Sequence, residues 1–288
     1  MARLQDEPVA DPVCVPLYYV SELAREHGVV VAQAGEGSDE LFLGYPRWRS
    51  FLRIQRAADL PVPALVKRAG LAVLPAGGWP REALRRNLRG EPVFWGGAMG
   101  FTEVQKRQLL SPRLRRELDG LTSWDALAPI RRRFEERAWE PSPLHWMTYL
   151  DLNLRLPELL LMRIDKMSMG ASVEARVPFL DQEVVALALS IPSRVKEDGG
   201  DLKHVLKRAV RGLLPDELVD RPKQGFRVPV EDWARGLLGE TARAEVAEFA
   251  RATDVLDPAA AERFLARPRR ESWYLLNLAL WHKEFIAC

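Results

Sequence analysis

The chain has 288 residues, 47% hydrophobic and 28% charged, enough for one large or two small domains around a sizeable core. Its 42 basic residues are nearly balanced by 40 acidic ones, a net charge of +2, which argues against a dedicated nucleic-acid binder with a basic face. No apolar run approaches ~18 residues and the amino terminus has no leader-like apolar stretch, while Cys14 and Cys288 lie at opposite ends without metal-ligand spacing; no membrane span, no leader and a reducing, cytoplasmic setting are the expectations.

Residues 1–15, punctuated by Asp6-Glu7-Pro8 and Asp11-Pro12, read as loop. Leu17 to His27 has apolar residues at helical spacing, with Gly28 as its stop. The run Val29-Val30-Val31-Ala32 reads as a strand, and Ala34-Gly35-Glu36-Gly37-Ser38-Asp39-Glu40 follows it as a tight loop. The loop is expected to enter a helix at Ser38 or Asp39, both favoured N-caps. Backbone N–H groups at a helix start suit phosphate, and the loop's three carboxylates suit a hard cation such as Mg²⁺. An anion cradle beside a cation site is what a nucleotide enzyme needs.

From Tyr45 to about residue 120 the pattern is helical and uneven: Trp48 to Ala58, Ala64 to Leu74, Glu82 to Leu88 and Thr102 to Leu110. Pro75-Ala76-Gly77-Gly78 and Gly90 to Gly100 read as loops; their Gly-Gly pairs follow no strand and are taken as plain connectors rather than phosphate loops. Ser123 to Trp139 is a charged helix whose Arg131-Arg132-Arg133 run, with Glu135 and Glu136 nearby, reads as a solvated face. Pro143 opens a long helical pattern to about Ser168.

Between Asp165 and Asp181 charged residues alternate with large apolar ones. Charged side chains are rarely buried unless paired, so Asp165, Lys166, Glu174, Arg176 and Asp181 are expected to form a paired network near a cleft, with structural ion pairs as the competing reading. Helices follow over Gln182 to Ile191 and Leu202 to Leu214, the second carrying Lys203, Lys207 and Arg208. Asp220-Arg221-Pro222-Lys223-Gln224-Gly225-Phe226 is a loop with two basic groups, a glycine and an aromatic anchor, a plausible place to meet polyphosphate. Further helices cover Val230 to Leu238, Glu240 to Ala250, Pro258 to Ala266 and Glu271 to Ile286. The four histidines are scattered without metal-ligand spacing, and no nucleophile elbow, Walker loop or GxGxxG is present.

Taken together, Asp6-Glu7-Pro8 with Asp11-Pro12, the loop of residues 35–40 with Phe42 and Gly44-Tyr45, Asp165-Lys166-Met167-Ser168-Met169, Glu174 to Asp181, Arg221 to Phe226 and Leu278-Ala279-Leu280-Trp281 resemble, in order, the synthetase domain of the glutamine-dependent asparagine synthetases. The resemblance implies a fold that is mainly α with a residual α/β unit, the C-terminal portion of an adenine-nucleotide α-hydrolase-like (ATP pyrophosphatase) synthetase domain. Residues 1–45 would be the α/β unit with the loop, and 46–288 the helical part of the same continuous domain. It implies ATP-dependent amide formation: aspartate is activated as an acyl-adenylate, then attacked by ammonia derived from glutamine.

By position, Glu36 resembles the carboxylate that handles protons on ammonia, and Lys223 the cation that neutralises phosphate charge. Ala34, Gly35, Gly37, Ser38 and Asp39 would meet nucleotide or pyrophosphate, with Asp39 the Mg²⁺ ligand. Tyr45, Arg163 and Asp165 would line the substrate pocket. The family's upstream Ser-Gly-Gly-x-Asp-Ser phosphate loop and glutaminase are absent here, Ala34 stands where Ser is usual, and Leu43 where Gly is common. The expectation is therefore the C-terminal part of a synthetase from a truncated or split gene, inactive alone, with ammonia from a glutaminase elsewhere. Alternatives are a partner subunit completed by a chain carrying that phosphate loop, a non-catalytic helical interaction protein, or an amide synthetase for another carboxylate.

Overall fold

A computed structural model describes residues 1–75, 78–225, 228–267 and 269–287. Phe226, the expected aromatic anchor, lies outside the described residues, as do Ala76, Gly77 and Cys288. In chain order the elements are α1 (Cys14–Glu26), β1 (Val31–Gln33), α2 (Ser38–Leu41), α3 (Pro46–Ala58), α4 (Ala64–Val73), α5 (Trp79–Leu88), α6 (Glu103–Leu109) and α7 (Pro112–Glu117). They continue as α8 (Ser123–Arg137), α9 (Pro143–Asn153), a π-helical segment (Leu156–Leu161), α10 (Met162–Gly170), β2 (Glu174–Arg176), α11 (Gln182–Ser190), α12 (Ser193–Glu197) and α13 (His204–Val210). The last five are α14 (Asp216–Val219), α15 (Val230–Arg235), α16 (Leu237–Thr253), α17 (Pro258–Leu265) and α18 (Arg270–Phe285). The architecture is mainly helical with a small parallel sheet.

The strand predicted near Val29 is β1, and its partner is β2, in parallel register Val31↔Glu174, Ala32↔Ala175 and Gln33↔Arg176. The partner lies ~140 residues downstream, beyond the reach of local patterning. Glu174 and Arg176 flank Ala175 in the period-2 alternation of a strand, a signal too short at three residues to be told from other patterns. The pairing also ties residues 1–45 to the helical remainder. α1 starts earlier than expected, at Cys14, because the Asp11 carboxylate accepts the Val13 amide (3.0 Å) and Pro16 sits in the first turn, where its missing N–H costs nothing.

The single helix expected from Pro143 to Ser168 is broken. α9 ends at Asn153, and the chain resumes as a π-helical segment containing Pro157 before α10. Proline has no amide to donate and crowds the preceding turn, so the regular ladder cannot continue through it. Arg155 lies at this break, as the N-cap of the π-helical segment.

The main core is aromatic, with Trp48, Phe51, Phe94, Trp95, Phe134 and Trp146 packed among α3, α8, α9 and the 90–97 segment. A second core joins α16, α17 and α18 through Val246, Phe249, Leu265 and Leu275. From α18 the Trp281 indole donates to the Asp6 carbonyl (2.9 Å), holding the amino-terminal loop. Tyr19, Val20 and Leu23 of α1 are exposed, as are Val29, Val30 and Val31, with relative exposures of 37%, 56% and 42%. Among the described residues no helix is long and apolar enough to cross a membrane.

Candidate active site

The loop after β1 closes on itself before it reaches α2. Gly37 is left-handed at φ +90°, and a Cβ there would overlap the Leu180 side chain, so both backbone and packing require glycine. The Ser38 hydroxyl donates to the Gly35 carbonyl (2.9 Å). The Ala34 amide donates to the Arg176 carbonyl (2.7 Å), continuing the sheet into the loop. α2 begins at Ser38, where the loop was expected to enter a helix, and is a single turn of four residues capped by Gly37. So short a helix carries little macrodipole, and positive charge at this loop has to come from side chains.

Two lysines supply it. Lys223 Nζ lies 2.7 Å and Lys203 Nζ 2.9 Å from the same Asp39 oxygen, Oδ1. Lys203 also donates to Ser38 Oγ (2.7 Å), and Lys223 to the Gly44 carbonyl (2.9 Å). Burial pushes the Asp39 carboxyl up, but contact with Lys223 and Lys203 outweighs it and holds the group below the ordinary carboxylate range. Gly44 permits this closeness: a Cβ there would overlap the Asp39 carboxylate and stand 2.6 Å from Lys203 Cε. Lys203 itself was seen in the sequence only as one of three cations on a helix. It sits at the N-terminal boundary of α13 with φ +56°, a placement that no spacing rule announces. The Gly199-Gly200 pair just before it is the nearest thing to a signal. Leu43, where the resemblance led us to expect glycine, is also left-handed at φ +55° and 1% exposed. The strain, about 1–2 kcal/mol, is offset by burial of the leucine side chain.

Glu36 meets Arg163. The guanidinium reaches Asp11 Oδ2 at 2.7 Å and Glu36 Oε1 at 2.6 Å. Burial lowers the arginine's pKa, but the charges of Asp11 and Glu36 more than compensate, and it stays above its ordinary value. Arg163 thus draws the Asp11-Pro12 motif and the loop together. Behind it, the Cys14 thiol is pushed up to about 12, mainly by burial and then by the Asp11 charge, which leaves it unreactive.

The third loop carboxylate turns inward. Glu40 is 1% exposed and accepts a 2.5 Å hydrogen bond from the Tyr45 hydroxyl. Arg155 Nη1 lies 3.7 Å from Glu40 Oε1 and 3.4 Å from Asp151 Oδ2, and the Gly97 amide donates to Asp151 Oδ1 (2.9 Å). Burial raises both carboxyls, Asp151 to about 6, against the opposing pull of Arg155 and of the hydrogen bonds. A Cβ on Gly97 would meet Arg155 and Asp151 at 2.8 Å, so this glycine, read as a connector, is required by close approach. A cavity of ≈ 520 Å³ opens beside Arg155, lined by Asp11, Gly97, Phe101 and Tyr274.

The three loop carboxylates therefore face three different neighbours. Among the described residues no group of three or more His, Cys, Asp or Glu side chains is placed to hold a metal ion. Asp39 is shared by two ammonium groups.

The network expected over residues 165–181 does not form as one buried unit. Asp165 is exposed on α10. Lys166 pairs with Asp6 (2.5 Å) across to the amino-terminal loop. Glu174 and Arg176 lie 4.0 Å apart on the exposed face of β2, and Asp181 caps α11 by accepting the Glu183 amide (2.9 Å). The alternation that suggested burial was that of a strand and a cap. The residues brought together are Glu36, Ser38, Asp39, Tyr45, Arg163 and Lys223, joined by Asp11, Arg155 and Lys203.

Comparison with known proteins gives a consistent picture. A Mycobacterium tuberculosis protein provisionally named asparagine synthetase [glutamine-hydrolyzing] is 37% identical over 291 residues, covering 98% of this chain and 43% of that protein. Asparagine synthetase [glutamine-hydrolyzing] 1 of Bacillus subtilis is 31% identical over 294 residues, covering 96% of this chain and 44% of the relative. The amidase chyE of Penicillium rubens is 26% identical over 246 residues, 76% of this chain and 35% of that one. The chain thus spans less than half the length of the curated relatives it matches. A model of the asparagine synthase family matches residues 1–283, and with this identity to the bacterial synthetases the chain belongs to that family.

Proposed function

We propose that this chain carries part of the adenylating site of an ATP-dependent amide-forming ligase of the asparagine synthetase type. The observation that carries the reading is Asp39 clasped between Lys203 and Lys223 at a glycine-bearing loop, one residue cluster away from the Glu36–Arg163 pair. In this reading the side-chain carboxylate of aspartate attacks the α-phosphorus of ATP, pyrophosphate leaves, and an acyl-adenylate forms. Lys223 and Lys203 neutralise the negative charge that gathers on the phosphates, as preorganised cations do in a partly desolvated site. Ammonia then attacks the acyl carbon, Glu36 takes a proton from it, and AMP departs with the bond electrons, leaving the amide. Mg²⁺ enters as a counterion of the nucleotide, with Asp39 its candidate ligand from this chain. The cavity beside Arg155 offers room for the carboxylate substrate, aspartate or a related acid.

The ammonia comes, in this reading, from a glutaminase supplied elsewhere. The Ser-Gly-Gly-x-Asp-Ser phosphate loop comes from a further polypeptide segment or partner chain seated on the exposed Val29–Val31 and Tyr19–Leu23 surface. An apolar, β-branched strand with an open edge favours pairing with another strand.

Calorimetric titration of the chain with magnesium pyrophosphate tests the reading. The wild type is expected to bind, and Lys223→Met to weaken binding at least about tenfold, the loss typical of removing a charge-assisted contact. Equal binding by wild type and variant, or none by either, overturns it.

A further inference from the structure

Behind the two lysines lies a buried set of groups to which the proposed chemistry assigns no bond-making step. Glu40 and Asp151 are 1% and 0% exposed, and a single guanidinium, Arg155, stands between them. Two buried carboxyl groups share this one guanidinium, and burial raises the pKa of both. Such a cluster is a poor way to stabilise a fold, since a well-packed apolar filling of the same volume avoids the desolvation. Among the described residues, one oxygen of Glu40, Oε2, has no hydrogen-bond partner. The cluster must therefore be held in place by its surroundings. The Thr148 hydroxyl holds the Glu40 carbonyl (3.0 Å), and the Gly97 amide holds Asp151 (2.9 Å).

The Tyr45 ring links the set to Lys223. Its hydroxyl is fixed by Glu40, and Arg155 Cζ lies 4.6 Å from its centroid. Lys223 Nζ lies 4.6 Å from the same centroid. The ammonium is thus located by three features: the ring, the Gly44 carbonyl and Asp39.

We propose that Gly97, Asp151, Arg155, Glu40 and Tyr45 form a buried positioning chain that holds the Lys223 ammonium at Asp39, through the Tyr45 ring. The proposal deepens the site reading above and rests on it for the role of Lys223, but the placement of Lys223 is testable by itself. Glu40 and Arg155 fix the ring, and the ring's negative face attracts the ammonium. A lysine otherwise free to sample many rotamers is thereby kept where phosphate charge would gather. This also accounts for Gly97, since any side chain there would displace Arg155 and Asp151.

The experiment is limited acylation of the whole chain with an amine reagent, read peptide by peptide by mass spectrometry, with Lys106 on α6 as the internal reference. Wild type is compared with Tyr45→Leu, Tyr45→Phe and Arg155→Met, each checked for a folded circular-dichroism melt. Losing the ring should raise Lys223 labelling about fivefold relative to Lys106, the scale of one cation–π contact. Tyr45→Phe, which keeps the ring and loses its tie to Glu40, should give a smaller rise of about twofold, and Arg155→Met a similar one. A purely structural role would lower the melting temperature without changing the Lys223 to Lys106 ratio. An unchanged ratio in folded Tyr45→Leu overturns the proposal; if that variant does not fold, an unchanged ratio in both Tyr45→Phe and Arg155→Met does so. Magnesium pyrophosphate titration of the same variants separates the two ideas. Absence of binding by the wild type defeats the functional reading alone, whereas the labelling ratio still decides the positioning chain.

Discussion

Lys203→Met isolates the cation that sequence reading overlooked. Methionine keeps the stem and the same left-handed backbone at position 203, so the change is confined to the ammonium and its contacts with Asp39 Oδ1 (2.9 Å) and Ser38 Oγ (2.7 Å). Two unit charges about 3 Å apart interact by roughly 5 kcal/mol at an effective dielectric constant of about 20. About a quarter of each side chain is in contact with solvent, 27% for Lys203 and 25% for Asp39, and Lys223 remains on the same oxygen. The net loss should therefore be much smaller, about 1–2 kcal/mol at neutral pH. The sign follows from Asp39. Its folded pKa lies below its unfolded one, so its contribution is present above the unfolded value near ~3.9 and is lost as pH falls through the folded value. In the variant the folded pKa moves back up, and the acid-side loss of stability shrinks. Urea unfolding from pH 7 down to pH 3, with a carboxyl-carbon NMR titration of Asp39, measures both effects. An Asp39 titration identical in wild type and Lys203→Met would show that Lys203 is not a partner of the loop and would refute the two-lysine clasp.

Asp151 should behave in the opposite sense. Its folded pKa of about 6 lies above the unfolded one, so its contribution to stability is greatest at low pH and is lost as pH rises from the unfolded value through the folded one. On acidification from pH 7 to pH 5, wild type should gain about 1.4 kcal/mol relative to Asp151→Asn in urea unfolding; a pH-independent difference would mean that Asp151 is not held in the buried acid cluster. Gly44→Ala should cost about 1–3 kcal/mol by overpacking, because its Cβ falls on the Asp39 carboxylate, whereas a Cβ at Gly35 meets nothing within 4 Å. Thermal melts of Gly44→Ala and Gly35→Ala in parallel check this, and equal melting temperatures would argue against the close approach at Gly44.

Much of this protein was legible as a linear pattern. Helical periodicity marked α3, α8 and α18, β-branched residues marked β1, and the glycines and carboxylates of residues 35–40 marked the loop. These signals are local: each depends on residues within a turn or two of one another, so spacing alone reveals them. The family motifs added Glu36, Tyr45, Arg163 and Lys223 to one functional set, and the structure gathers these residues around the loop.

What the sequence left open depended on distant contacts. Glu174 to Arg176 became a strand because β1 was there to pair with it, and no three-residue run can announce that. Lys203 reached Asp39 because a left-handed residue at the start of α13 redirects the chain, and Gly97 became a required glycine through its contact with Arg155. The three loop carboxylates look equivalent in sequence. Tertiary packing separates them: one to Arg163, one to two lysines and one into the interior, because each is stabilised by whichever partner the fold brings within hydrogen-bond reach. Periodicity and turn chemistry thus determined the elements and the loop, while the charges that give the loop its character were assembled only by folding.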